Sequence, residues 1–348
     1  MTARFLNTPA HQNVETDLSR RHFLKSAAGT ALVATGLPTR GLANPSQKDR
    51  AISPESLVGR LYHSLSGEQK NIVCFDWDHQ DPKRGLLRTF IANNWNITPA
   101  EIHSDFYSME QQALIRDIFE GLIQPDWHGR FDKQLKDDCG GFGHQQSIAI
   151  FGEPGKNRFE FVLSGRHMTL RCDGNSEPHM AFGGPIFYGH AADGFHEGAT
   201  HPGNVFWPQA VAANKVYAML DGRQQKQALI EQLPREQAVA FREKATDRPG
   251  IPIRELSEDQ RAEMQKVLAT LIEPYRQTDR NEVQACLKSQ GGLDACHLAF
   301  YSDQNIGQDA LWDNWRLEGP AFVWYFRGSP HVHCWVHVAD NPRVPLNA

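Results

Sequence analysis

Three histidines fall within seven residues near the C-terminal end of the chain, in the run His331-Val332-His333-Cys334-Trp335-Val336-His337. An apolar, aromatic stretch from Pro320 to Phe326 and a Gly328-Ser329-Pro330 turn precede them, so the run reads as the second strand of a hairpin. Side chains on a strand alternate between faces. His331, His333, Trp335 and His337 therefore share one face, while Val332, Cys334 and Val336 share the other. Adjacent imidazoles on that face stand about 7 Å apart at strand rise, an arrangement by which a transition metal can be held. Neutral imidazole nitrogen is the commonest metal ligand and suits zinc, copper, iron and nickel. The competing reading is an exposed strand with incidental polar residues.

A second stretch offers further donors. Ser147 to Gly152 and Arg158 to Leu163 flank Glu153-Pro154-Gly155-Lys156 and read as a β-hairpin. Its second strand is expected to continue through Ser164-Gly165-Arg166-His167-Met168-Thr169-Leu170-Arg171. Apolar residues change there from odd positions (Phe159, Phe161, Leu163) to even ones (Met168, Leu170), which reads as a bulge at Gly165. The change sets His167 on the polar face, as the first candidate for an additional ligand. Beyond it, residues 173–207 form a long irregular segment rich in aromatics, expected to pack as a wall or lid over the site. His190, His196 and His201 lie in it; each alone reads as a polar loop residue, and at least one, with His190 and His201 foremost, is expected to reach the site.

The chemistry follows from the donors. His331, His333 and His337, or two of these with His167, would bind one ion of zinc, copper or iron and leave a position open, as catalytic sites do. Zinc would bring the pKa of a bound water down to about 7 for hydrolysis, whereas copper or iron would support redox chemistry. Glu318 is the candidate general base or ligand partner, and Arg166 the candidate for stabilising an anionic intermediate. The alternatives are a metal-binding protein without catalysis and a module that binds a small ligand in a His/Arg/Trp-lined pocket. Glycine-flanked serine elbows, phosphate-binding loops, dinucleotide fingerprints and the H-E-x-x-H zinc motif are all absent. None of the six cysteines forms a C-x-x-C pair, which excludes zinc ribbons and thioredoxin-like motifs. Cys286 and Cys296 flank Gly291-Gly292, and a local disulfide between them is left open.

The elements that must position these residues are mixed. Ser53 with Pro54 opens a helix, Ile72 to Trp77 reads as a short strand, and Asp105 to Ile123 is helical by period. Pro208 to Leu233 reads as a helix broken near Asp221-Gly222, and Ser257 to Gln260 is a capping box for another that reaches about Ile272. His297 to Tyr301 and Trp312 to Leu317 read as strands before the final hairpin. Hairpins alongside separate helical runs point to an α+β fold, with an antiparallel sheet built from hairpins and helices packed on one side. Residues 53–348 are expected to make one such domain, or two weakly separated lobes.

Net charge −5 with 22% charged residues gives no reason to expect a nucleic-acid partner or a basic membrane-binding face. The N-terminus is more specific. Ser19-Arg20-Arg21-His22-Phe23-Leu24-Lys25, a mildly apolar run from Ala27 to Leu37, and Gly41-Leu42-Ala43 make a twin-arginine export signal over residues 1–43, followed by a polar linker at 44–52. Its apolar run is too short to anchor the chain in a membrane. The expected location is periplasmic or extracellular. The expected partners are the twin-arginine translocase during export and a small-molecule substrate or ligand.

Two blocks carry a resemblance. Ser164-Gly165-Arg166-His167-Met168-Thr169-Leu170 resembles the S-G-x-H-x-T-L strand of the bacterial domain of unknown function 3500 family. Trp315-Arg316-Leu317-Glu318-Gly319-Pro320, followed by an apolar strand and His331-x-His333, is similar to that family's C-terminal block. The resemblance extends from about residue 54 to the end and leaves the His-rich loop unmapped. It implies export, and a single site shared by the two histidine-bearing strands, but no activity. The expectation is an exported, metal-dependent enzyme of undefined reaction.

Overall fold

Capping chemistry sets most of the helix starts in the computed structural model, which describes residues 52–191, 201–237, 239–306 and 309–345. The expected export signal and nearly all of its linker lie outside the described residues, as does His196. Ser53 accepts the backbone N–H of Ser56, with Pro54 at the first helical position, to open α1 (Pro54–Ser64). A Ser66–Gln69 capping box opens α2 (Gly67–Val73), which runs into β1 (Cys74–Phe75). The strand expected from Ile72 thus loses its first two residues to a helix. β2 (Gln80–Asp81) and β3 (Gly85–Leu86) pair in a separate two-stranded sheet.

α3 (Met109–Leu122) begins at a Ser108–Gln111 capping box, later than the expected Asp105, because residues 102–107 form turns that the cap ends. α4 (His128–Cys139), which the sequence reading did not anticipate, stops at Gly140, whose φ of 92° only glycine adopts readily. Four strands follow: β4 (Gln146–Gly152), β5 (Phe159–Gly165), β6 (Met168–Cys172) and β7 (Ile186–His190). Next come α5 (Trp207–Met219) and α6 (Gly222–Ala228), with Asp221 capping the second at the expected break. β8 (Leu229–Ile230), β9 (Ile251–Pro252), α7 (Glu258–Ile272) and the unanticipated α8 (Gln277–Ser289) lead to β10 (His297–Tyr301), β11 (Asn314–Gly319), β12 (Phe322–Arg327) and β13 (Val332–Val338).

Eleven strands form one sheet in the order β1-β4-β5-β6-β7-β13-β12-β11-β10-β8, with β9 on β10. Pairing is antiparallel except where β1 meets β4 and β8 meets β10, so the fold is α+β with a mostly antiparallel sheet. All eight α-helices among the described residues lie on one side. Leu57, Ile115, Phe131, Ala213, Val267 and Val283 from the helices share one core with Phe161, Leu163, Met168, Cys334 and Val336 from the strands. Among the described residues the other face carries no α-helix. The chain around the small β2–β3 sheet covers it over β4 and β5, and Leu233, Val239 and Phe241, from irregular chain, cover it over β7 and β10–β13.

The register corrects one expectation. Gly165 pairs with Met168 and Leu163 with Leu170, so Arg166 and His167 are a two-residue hairpin turn between β5 and β6, and not part of one bulged strand. A two-residue reversal shifts the inward parity from odd to even, and that is the phase change seen in the sequence.

Candidate metal centre

His167 occupies the second position of that turn with φ 52°, in the left-handed region where histidine is enriched among non-glycine residues at a modest cost. Three backbone hydrogen bonds hold it there. Arg166 N–H donates to Gln145 O (3.2 Å), His167 N–H to Asn93 O (3.1 Å), and Gly189 N–H to His167 O (3.1 Å). β7 can lie this close because Gly189 has no side chain: a Cβ there would stand 2.1 Å from the carbonyl oxygen of Val332 on β13.

From across the sheet come His331 and His333. His333 is on β13, opposite Gly189, on the face away from the helices. His331 precedes the strand, so its ring is released from the pleat and turns toward its neighbour. His331 Nε2 lies 3.0 Å from His333 Nε2, and His333 Nε2 lies 3.0 Å from His167 Nε2. The three donor atoms fall within 4.8 Å of one another, in residues that are all buried.

Outer contacts fix which nitrogen carries each proton. His167 Nδ1–H donates to Asp138 Oδ2 (2.5 Å), and Asp138 Oδ1 accepts from Arg166 Nε (2.9 Å). His333 Nδ1–H donates to Glu236 Oε1, whose other oxygen accepts from Arg327 Nη1 (3.1 Å). Arg327 Nη2 also lies 2.9 Å from His333 Nδ1. With the Nδ1 proton committed to the carboxylate, this is a contact between two donors and not a hydrogen bond. Burial pushes the Asp138 and Glu236 carboxyls up, but hydrogen bonds and charge from His167 with Arg166, and from His333 with Arg327, outweigh it and hold both below the usual range.

This assignment leaves a bare lone pair on Nε2 of both His167 and His333, facing each other at 3.0 Å. Two such lone pairs repel unless a cation lies between them. On His331 and His333 a proton is disfavoured near neutral pH. Burial first, then the neighbouring charges, depress His331 to about 3, and burial with Arg327 and His167 outweighs Glu236 to bring His333 down to about 4. A metal ion between the two nitrogens would relieve that repulsion, and the three-histidine group could hold one. Ligand nitrogens about 2.1 Å from a tetrahedral ion lie about 3.4 Å apart, so the observed spacing is slightly tight for such a site. The carboxylates behind His167 and His333 are the usual second layer of a metal–histidine site.

The other candidates lie elsewhere. His337 shares the face of His333, but four residues of strand separate them by about 13 Å, so the pleat that aligns the two side chains also parts them. Glu318, on β11, pairs with Arg316 (2.9 Å) and Arg242 (3.5 Å) and stands across the sheet from Val323, in the row of His337. His190 is on the helical face of β7, its Nε2 2.6 Å from Asn204 Oδ1. His201 Nδ1 accepts from the Gly203 N–H (3.0 Å) within the loop. Neither joins the three-histidine group. Arg166 does border it, through Asp138.

Asp138, Glu236 and Arg327 were not anticipated. Phe131, Leu135 and Cys139 at four-residue spacing mark α4 weakly, and the Asp137-Asp138 pair at its C-terminal end opposes the helix dipole. That local conflict is the signal that could have pointed to Asp138. Glu236 sits in irregular chain with no periodic signal.

A family model described as a protein of unknown function (DUF3500) matches residues 55–339, a span that holds every residue of this group. No curated protein and no solved structure matches the chain.

Proposed function

The chain belongs to the DUF3500 family of proteins of unknown function, and from that premise we propose that it is an exported metal-dependent enzyme. In this reading His167, His331 and His333 bind one transition-metal ion and leave a coordination position for water or a small-molecule substrate. The observation that carries it is the pair of opposed lone pairs on His167 and His333, each ring fixed from behind by a carboxylate.

The donor set favours hydrolysis by a metal-activated water. Three neutral imidazoles leave the ion's charge uncancelled in its first layer, since both carboxylates stand one bond further out. Zinc held there would bring the pKa of a bound water to about 7. Asp138 and Glu236 keep the ring protons on Nδ1 and Nε2 bare. Glu236, with its side chain 26% exposed, holds the Nδ1 proton of His333 at the solvent edge of the group. Arg166, 30% exposed beside Asp138, sets positive charge at the mouth of the group, where it would favour an anionic intermediate. Among the described residues this is the one group able to hold a metal, which favours a single equivalent over storage of several. Export rests on the twin-arginine pattern at Arg20-Arg21.

Metal analysis by mass spectrometry on untagged protein tests this reading, beside His167→Ala and His331→Ala/His333→Ala variants. About one equivalent per chain, lost in both variants, is expected. Zinc supports hydrolysis, and copper or iron turns the chemistry to redox. Wild-type protein that neither contains nor takes up zinc, copper or iron would overturn the proposal.

A further inference from the structure

In the two strand rows beyond the histidine group, the same face of the sheet holds a second concentration of buried polar atoms. Trp335 pairs across the sheet with Tyr325, and Tyr325 with Arg316. In the next row His337 pairs with Val323, and Val323 with Glu318. All five polar side chains are at most 1% exposed. Yet the Trp335 indole N–H, the Tyr325 hydroxyl and both His337 ring nitrogens make no hydrogen bond among the described residues, and neither does either Glu318 oxygen. Glu318 is held only as an ion pair with Arg316 and Arg242. The short Val323 side chain lies between His337 and Glu318, and the Phe241 ring meets His337 edge-on at 6.0 Å.

Buried polar groups left without partners are rare and costly, and several together on one face imply a partner that occupies the space between them. Its chemistry can be read from the lining. The indole N–H can only donate, while the phenol and the imidazole can donate. The cations Arg316 and Arg242 outnumber the single carboxylate of Glu318. Donors and positive charge call for a small oxyanion. Arg242, 31% exposed in the irregular chain that covers this face, marks the side from which it enters.

We propose that His337, Trp335, Tyr325, Arg316 and Arg242 form a binding site for a small oxyanion, a carboxylate or phosphate group, apart from the metal ligands. The site stands whether or not the histidine group holds a metal. Because the oxyanion could equally coordinate an ion at that group, the test runs in the wild type and in His331→Ala.

Acetate, inorganic phosphate and, as a neutral control, glycerol are titrated into indole-15N-labelled protein. The readouts are the Trp335 N–H resonance, assigned by its loss in Trp335→Phe, and the melting temperature. One anion is expected to move the Trp335 signal downfield and raise the melting temperature, both saturably, while glycerol does neither. The effect persists in His331→Ala. His337→Phe weakens binding on the order of tenfold or more, the scale of one lost hydrogen bond to a charged group. Acetate and phosphate together separate a carboxylate site from a phosphate site. No saturable response to either anion would overturn the proposal, as would a response lost in His331→Ala or unchanged in His337→Phe. A Trp335 resonance that His337→Phe shifts without any anion dependence would mean ordered water only, and would also overturn it.

Discussion

At the scale of single residues, the proposed metal would depend on where two protons sit. Asp138 and Glu236 each hold an Nδ1–H and so expose an Nε2 lone pair to the centre. An amide in place of either carboxylate removes the negative charge behind the ring and can present N–H instead, favouring the wrong tautomer. Asp138→Asn and Glu236→Gln are therefore each expected to weaken metal affinity by about 10–100-fold, read by competition against a chelating dye. Unchanged affinity in both would mean that the carboxylates serve folding alone. The pH dependence follows from the same rings. A ring with an ordinary value near 6.5 loses about one decade of metal affinity per pH unit below it. His331 and His333, depressed to about 3 and about 4, stay neutral and add no such loss until the pH nears those values. Affinity is thus expected to fall by at most one decade per unit between pH 7 and 5, and a fall of two or more would contradict these depressed values. In the metal-free protein the sign is the same. The unfolded chain takes up protons below about 6.5 that the folded rings refuse, so stability is full above that pH and is lost as the pH drops toward 4.

At the scale of elements, the centre depends on how closely β7 lies against β13 and the β5–β6 turn. Gly189→Ala would set a methyl group against the Val332 carbonyl and push β7 away. A destabilisation of about 1–3 kcal/mol is expected, measured by denaturant unfolding, together with weaker metal binding as His167 moves with its hydrogen bond to Gly189. Stability and affinity both equal to wild type would show that the sheet yields there at no cost. The same elements show what could be read from the chain. The β4–β5 hairpin, the Ser257 capping box and the parity of His333 against Cys334 were legible, because turn residues, caps and strand alternation are local signals. His331 and His337 were assigned by the same alternation and diverge in the fold, His331 because it precedes the strand and escapes the pleat, His337 because the pleat holds it about 13 Å away. The bulge expected at Gly165 and the turn found at Arg166-His167 leave an identical parity shift, so periodicity alone could not separate them. Asp138 and Glu236 reach their histidines across 29 and 97 residues of sequence, contacts that no local pattern encodes.

At the scale of the molecule, the group joins four separate stretches: the end of α4, the β5–β6 turn, the irregular chain at Glu236 and the start of β13. None of these can hold an ion alone, and His167, His331 and His333 are 4%, 6% and 3% exposed once they meet. An ion would therefore have its readiest access while these stretches are coming together, and its binding would add to the stability of the assembled fold. This bears on where loading happens. A protein exported unfolded would meet its metal in the envelope. One exported folded, as the Arg20-Arg21 pattern proposes, would be loaded in the cytoplasm before transport. Arg20→Lys/Arg21→Lys is expected to hold the protein in the cytoplasm with the same metal, at the same stoichiometry, as the exported wild type. Cell fractionation followed by metal analysis of each pool reads both outcomes. A retained pool without metal, beside a loaded exported pool, would move loading to the envelope, and a variant exported as well as wild type would remove the twin-arginine route.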